Sequence, residues 1–247
     1  MVWNQQMAGE FEKLYSCCGA KPKIHITGVP RFDTYFEKRP ATPSIRQKIV
    51  LFASSAPKHF PGQCQIVDDL VEYIGSNDDV LLLVRCHPAD NPSIYDQYKA
   101  AKNIVIWPPA TPGFWKGTSD FPPLDFLKVL SEMMYSCDVC VQVASTMRLD
   151  AAACNKPVIS IAYDGKYKVP YKRSVRRLYC YSHQIPLNFL RLDYPVFSKE
   201  ELFCFLDKVL AENYSAPDQR PALRKLVHYT EPRSVDSMVQ YMQEWLG

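Results

Sequence analysis

The 247-residue chain is poor in glycine, with 9 glycines against 20 prolines. Its loops are therefore stiffened by ring-locked φ angles rather than loosened by glycine. No apolar run approaches the roughly 18 residues that a membrane span needs. The opening stretch, MVWNQQMAGEFEKLY, is amphipathic and carries acids, which does not read as a signal peptide. Strong charge of one sign is missing too. The 29 Lys and Arg against 26 Asp and Glu leave a net charge of +3, mostly scattered, so no nucleic-acid partner is expected. There is no internal repeat and no low-complexity tract. The length fits one large domain or two small ones.

The 9 cysteines form no disulfide framework: the count is odd and most lie in apolar stretches, as buried thiols do. Cys137 and Cys140 have CxxC spacing but lack a second pair or a nearby His, so no metal or redox site is expected there. A reducing, cytoplasmic setting fits this usage.

What is present is a regular alternation. Periodicity predicts a helix over 4–15, a short strand over 23–27, a turn at 28–33 and a proline-bearing linker over 37–47. Strands then follow at 48–53, 80–86, 103–107, 139–143 and 157–161. Helices are predicted between them at 63–74, 92–101, 124–135 and 145–155. Near-continuous apolar strands separated by helices imply a doubly wound parallel sheet, α/β and Rossmann-like. Beyond Asp164 the alternation breaks into a basic, tyrosine-rich stretch over 167–183. One last strand is expected at 189–192, then helices over 198–210, 218–229 and 232–246. Ser198 to Glu201 has capping-box spacing.

The chain is organised around Cys137 to Asp164, which reads as strand, turn, helix and strand. Asn155 suits a left-handed helix end and Pro157 stops the helix. Ser145-Thr146 heads it, where unpaired backbone N–H groups and the dipole favour an anion. Ser and Thr are also ordinary N-caps.

In open parallel sheets ligands bind beyond the carboxyl ends of the strands. The tips there are Ser54-Ser55 through His59, Arg85-Cys86-His87-Pro88, Pro108 through Thr111, Ala144-Ser145-Thr146 and Tyr163-Asp164. Four of the five carry phosphate donors. His87, held extended before a proline, is placed to donate to a diphosphate oxygen, or else to cap its loop. Asp150, one turn beyond Thr146, can accept from a ribose diol or be a solvent-facing acid. His183 is a weaker candidate, and His25 and His228 read as structural. Trp107 could stack on a base, though its pattern fits the core better. The basic run Lys166 to Arg177 could touch an acidic acceptor polymer or an anionic inner membrane face.

Taken together, GVPRFD, the Ser pair after a strand, RCHP, the Ser-Thr-headed helix and KPVISIAYD resemble the C-terminal, donor-nucleotide half of GT-B glycosyltransferases. The similarity is greatest to the CDP-glycerol glycerophosphotransferase, capsule-polysaccharide and polysialyltransferase-like group. The resemblance implies a donor domain that binds a nucleotide-activated sugar or polyol phosphate for a surface-polysaccharide-like acceptor. It places His87, Ser145 and Thr146 on the diphosphate, Asp150 on the ribose and Ser54-Ser55 near the phosphates. Arg85 joins the nucleotide-binding set, and His87 is the catalytic candidate. The group usually needs no metal or cofactor. No DxD pair contradicts that, since Asp68-Asp69 falls within a helix pattern. The resemblance also divides the chain into 1–47, the tail of an absent acceptor domain, and 48–247, the nucleotide-binding domain with its C-terminal helices. Two alternatives remain: a non-catalytic nucleotide-binding or scaffolding domain, and a relative of the UDP-sugar 2-epimerases.

Overall fold

A computed structural model describes residues 1–19, 21–39, 47–108, 123–166 and 168–247. The 40–46 part of the predicted linker, positions 109–111 of the tip after Trp107, and Tyr167 lie outside them. The described strands are β1 (Lys48–Ala53), β2 (Val80–Arg85), β3 (Ile104–Trp107), β4 (Val139–Gln142), β5 (Val158–Ile161) and β6 (Tyr194–Val196). All pairs are parallel and the order is β3-β2-β1-β4-β5-β6. This is the doubly wound Rossmann-like arrangement, and the direction in which successive strands are added reverses between β1 and β4.

Side-chain alternation along β1 divides the core. Val50 and Phe52 face one layer with Ile66, Leu70 and Leu206, from α3 (Gln63–Gly75) and α7 (Lys199–Leu210). Ile49, Leu51 and Ala53 face the other with Met134, Ala151, Ala152 and Leu223. These belong to α4 (Phe126–Ser136), α5 (Met147–Ala153) and α8 (Arg220–Val227). A sheet buried on both faces needs apolar residues at both parities, which explains the unbroken VLF and VCV runs.

The N-terminal segment packs against the C-terminal helices. Asn4 caps α1 (Gln5–Ser16) through the Met7 N–H and donates to the Leu226 carbonyl at 2.7 Å. Asp33, which opens α2 (Asp33–Phe36), accepts the Ser234 and Val235 N–H groups at 3.1 and 2.8 Å, closing the open N-terminus of α9 (Ser234–Leu246) from outside it. Gly28 is left-handed (φ +73°), and a Cβ there would meet Ser234 and Tyr229 at 2.6 Å, so only glycine allows this approach. His25 stacks on Tyr241, with ring centroids 3.6 Å apart, and His228 ends α8.

Several expectations need correction. The strand expected at 23–27 is a single bridge, Val2 to Ile26. The helix expected at 92–101 is a 3-10 turn, Pro92–Tyr98. The last strand is not at 189–192: that stretch ends α6 (Ile185–Leu190), and β6 follows at 194–196. The apolar run Ile185-Pro186-Leu187 suits either element, and a proline at the first turn favours the helix. The capping at Ser198 is present: its Oγ accepts the Glu201 N–H at 3.2 Å, and Glu201 reaches back to the Phe197 N–H at 2.7 Å. Asn155 is left-handed, as expected for a helix end.

Candidate active site at the sheet switch point

At the carboxyl edge the strand register lays down one row on the α5 face. Arg85 and Gln142 both pair with Ala53, and Ser160 pairs with Gln142. The last rung of an otherwise apolar face is thus polar, with a small residue at its centre. Beyond it stand the β1, β2 and β4 tips. The β2 and β4 tips flank that of β1, two strand spacings or about 10 Å apart.

The β4 tip is fixed from below. Ala144 is held at φ +41°, a cost its partners must cover. Its N–H donates to Tyr179 Oη at 3.1 Å, and Tyr179 donates to the Ile161 carbonyl at 2.8 Å. The Ser145 N–H donates to Gln142 Oε1, and Gln142 in turn donates to Ser160. Ser160 donates to Asp193, which also accepts from the fully buried Arg148 at 3.1 Å. Arg148 donates to Gln184 as well. Ser145 Oγ accepts the Met147 N–H at 3.2 Å. Thr146 is exposed and makes no side-chain capping bond at the head of α5. No local pattern announces the Gln142–Ser160–Asp193–Arg148 chain, whose members are drawn from separate segments.

The β1 and β2 tips meet over Asp90, which is fully buried. Its carboxylate accepts from Ser54 Oγ at 2.7 Å, Tyr95 Oη at 2.7 Å and Gln63 Nε2 at 3.2 Å. Ser54 accepts the His87 N–H at 2.7 Å, and Gln63 Oε1 accepts the Ser55 N–H at 2.9 Å. Burial raises the Asp90 pKa, against the hydrogen bonds that lower it. Ser54 therefore does not reach a ligand: it is buried and its hydroxyl is committed to Asp90 and His87. The half-buried Ser55 has its amide bound to Gln63.

His87 is half-buried on the rim. Its Nδ1 accepts the Ala89 N–H at 3.0 Å, which assigns the remaining proton to Nε2 as a donor. Burial first, then Arg85, His59 and Lys58, lower its pKa to about 4. The ring is a neutral hydrogen-bond donor at physiological pH. Because its folded-state pKa lies below the unfolded value near 6.5, stability associated with neutral His87 is complete above that value. It is lost as pH falls toward 4, where the unfolded chain binds the extra proton. Compared with His87→Gln, the wild type is expected to lose stability over this window, by about 1–2 kcal/mol after discounting for a partly solvated ring. Denaturant unfolding of both proteins at several pH values measures it; a constant difference would contradict the assignment.

A basic group gathers near the β1 tip from segments that the sequence presents separately. Tyr181 lies 6.4 Å from His59 and 5.9 Å from His183, ring centre to ring centre, and accepts from Arg177. Burial, Lys58, Arg177 and His183 all lower the His59 pKa, with no acid opposing them. Such clustering of positive groups favours an anion.

Asp150 departs from both of its expected placements. It is buried at 1% exposure and accepts from Arg31 and, at 2.6 Å, from Tyr35 Oη. Burial raises its pKa despite Arg31. Its carboxylate ties the 30–36 segment to α5 rather than facing a ribose. Arg85 leans over the Phe126 ring at 5.9 Å, and burial lowers its pKa. With Trp107, Phe126 and Pro108 it lines a cavity of about 170 Å³ at the ends of β2 and β3. Trp107 is 42% exposed, not a core residue. A larger cavity of about 510 Å³ opens beside Thr146, between Trp3, Arg31, Leu149 and His183.

No protein-family model matches the chain, and no curated protein sequence matches it. Solved structures do. A Listeria monocytogenes protein assigned as a UDP-N-acetylglucosamine 2-epimerase aligns with TM-score 0.56 at 14% identity, over 95% of this chain and 57% of that one. The Methanocaldococcus jannaschii UDP-GlcNAc 2-epimerase in complex with UDP-GlcNAc and UDP aligns with TM-score 0.52 at 13% identity, over 94% and 58%. The S. aureus MnaA–UDP co-structure gives 0.52 at 12%, over 94% and 57%. The likeness is one of fold: a Rossmann-like α/β sheet of GT-B type. This chain spans 57–58% of the length of those proteins.

Proposed function

We propose that this chain is the nucleotide-binding part of a GT-B transferase, with a nucleoside-diphosphate-linked sugar or a CDP-linked polyol phosphate as donor. The observation that carries the reading is the switch-point rim. There a neutral His87 donor and the exposed Thr146 stand on the two strand tips that flank β1, with Lys58 and His59 near His87 and Arg177 near His59. The diphosphate spans that gap, and Ser145 shapes the turn beneath it. The Trp107–Phe126 cavity is large enough for a pyrimidine, and Arg85 lines it. His87 stabilises charge that develops on the leaving phosphate, which needs only a fixed donor and no proton transfer. Arg85, His87, Ser145 and Thr146 remain the nucleotide-binding residues of this reading. Ser54 and Asp150 act through the loops they hold.

The motifs RCHP and KPVISIAYD favour the CDP-glycerol glycerophosphotransferase and capsule-polysaccharide type. In that reading residues 1–47 connect to an acceptor-binding domain. A second reading, a UDP-sugar 2-epimerase relative, is favoured by likeness to structures that hold UDP. Calorimetric titration with CDP and UDP tests the shared premise. Heat with at least one of them is expected, and His87→Ala should weaken it about tenfold, the worth of one charge-assisted hydrogen bond. No heat with either nucleotide would overturn the reading. Conversion of UDP-N-acetylglucosamine to its C2 epimer would favour the second.

A further inference from the structure

The net positive charge of this chain comes from one stretch. Residues 166–177 hold 6 of the 29 cations and none of the 26 acids; without those 6, 23 cations face 26 acids and the rest of the chain is net negative. Lys166, Lys168, Lys172, Arg173 and Arg176 are exposed. Among the described residues none of them is in an ion pair. A solvated face ordinarily intersperses both signs. Between the cations stand Val169 and Tyr171, 37% and 60% exposed.

The base of this tip is held by the fold. Asp164 accepts from Ser174 Oγ and from the Val175 N–H, both at 2.6 Å, and the Lys166 N–H donates to Gln65 Oε1 at 2.8 Å. Gly165 is left-handed at φ +75°, and a Cβ there would run into the Gln65 side chain. The anchorage lowers the ordering cost of a contact made by the tip. The tip leaves the end of β5, on the same sheet edge as the His87–Thr146 cleft.

We propose that the 168–176 tip docks the protein on an anionic lipid surface, its cations against lipid phosphates and Tyr171 with Val169 in the headgroup layer. Cations near such a surface add their attractions, and tyrosine prefers the interface because it has an apolar body and a polar end. The two exposed apolar side chains favour a bilayer over a soluble polyanion. Docking would turn the cleft edge toward the membrane, and it does not depend on the nucleotide reading.

Co-sedimentation with phosphatidylcholine vesicles, with and without about one-third phosphatidylglycerol, tests it. Binding to the anionic vesicles alone is expected. Replacing Lys168, Lys172 and Arg173 together by Gln should weaken it about 100-fold, at about fivefold per cation. Tyr171→Ser should weaken it about fivefold, and part of the wild-type binding should survive raised salt. Denaturant unfolding of both variants serves as the control for folding and should match the wild type. No vesicle binding, equal binding to neutral vesicles, or unchanged binding in the triple variant would overturn the proposal. So would binding to soluble polyglutamate as tight as to vesicles and indifferent to Tyr171→Ser, which would identify a polyanion as the partner.

Discussion

Asp90→Ala should lower the unfolding free energy by about 3–5 kcal/mol and abolish measurable nucleotide binding. Three donors converge on this one buried carboxylate: Ser54 Oγ, Gln63 Nε2 and Tyr95 Oη. Truncation leaves all three without an acceptor where water enters poorly, and each orphan costs about 1–3 kcal/mol. The damage extends to the cleft because Ser54 also holds the His87 N–H at 2.7 Å. Asp90→Asn should be milder, at about 1–2 kcal/mol, since it keeps one acceptor oxygen but turns its NH₂ toward another donor. Gln63 cannot flip to relieve this without losing its bond to the Ser55 N–H. Denaturant unfolding with calorimetric nucleotide titration checks both variants. An Asp90→Ala protein within 1 kcal/mol of wild type would show that the carboxylate is not the hub described.

The second large effect concerns the link between the N-terminal segment and α5. Asp150→Ala should cost about 2–4 kcal/mol, because it takes the partner from the Arg31 guanidinium, whose side chain is 38% exposed, and removes a buried carboxylate that others bond to. Tyr35 Oη, buried with it, loses its acceptor too. The double variant Arg31→Met with Asp150→Leu should recover at least half of the loss, since an apolar pair removes both the attraction and the desolvation penalty. Hydrogen exchange across residues 29–36 should rise in Asp150→Ala and fall back in the double variant. A double variant no better than the single one would place the loss in packing around α5.

Legibility in the sequence followed the range of the interaction. The helix beginning near Thr146 was visible because its polar head, its alanines and Asn155 are neighbours along the chain. The helical period also put Thr146 and Asp150 on one side. What covers that side comes from Arg31 and Tyr35, more than a hundred residues earlier, and no local pattern reports their arrival. Trp107 was misread for the same reason: an aromatic ending an apolar strand looks like core, yet it lies at an edge strand with one flank open.

By itself the sequence determined the alternating elements, the parallel sheet and the strand ends where polar side chains gather. These follow from hydrophobic period and from caps and breakers a few residues apart. Only the tertiary structure decided which of those polar groups stay accessible. Thr146 is exposed and His87 half-buried; Ser54 and Asp150 are turned inward to Asp90's loop and to Arg31. The reason is that a buried polar group must find its partner across the fold, and the partners of Ser54, Arg148 and Asp150 come from distant segments brought together only when the layers pack.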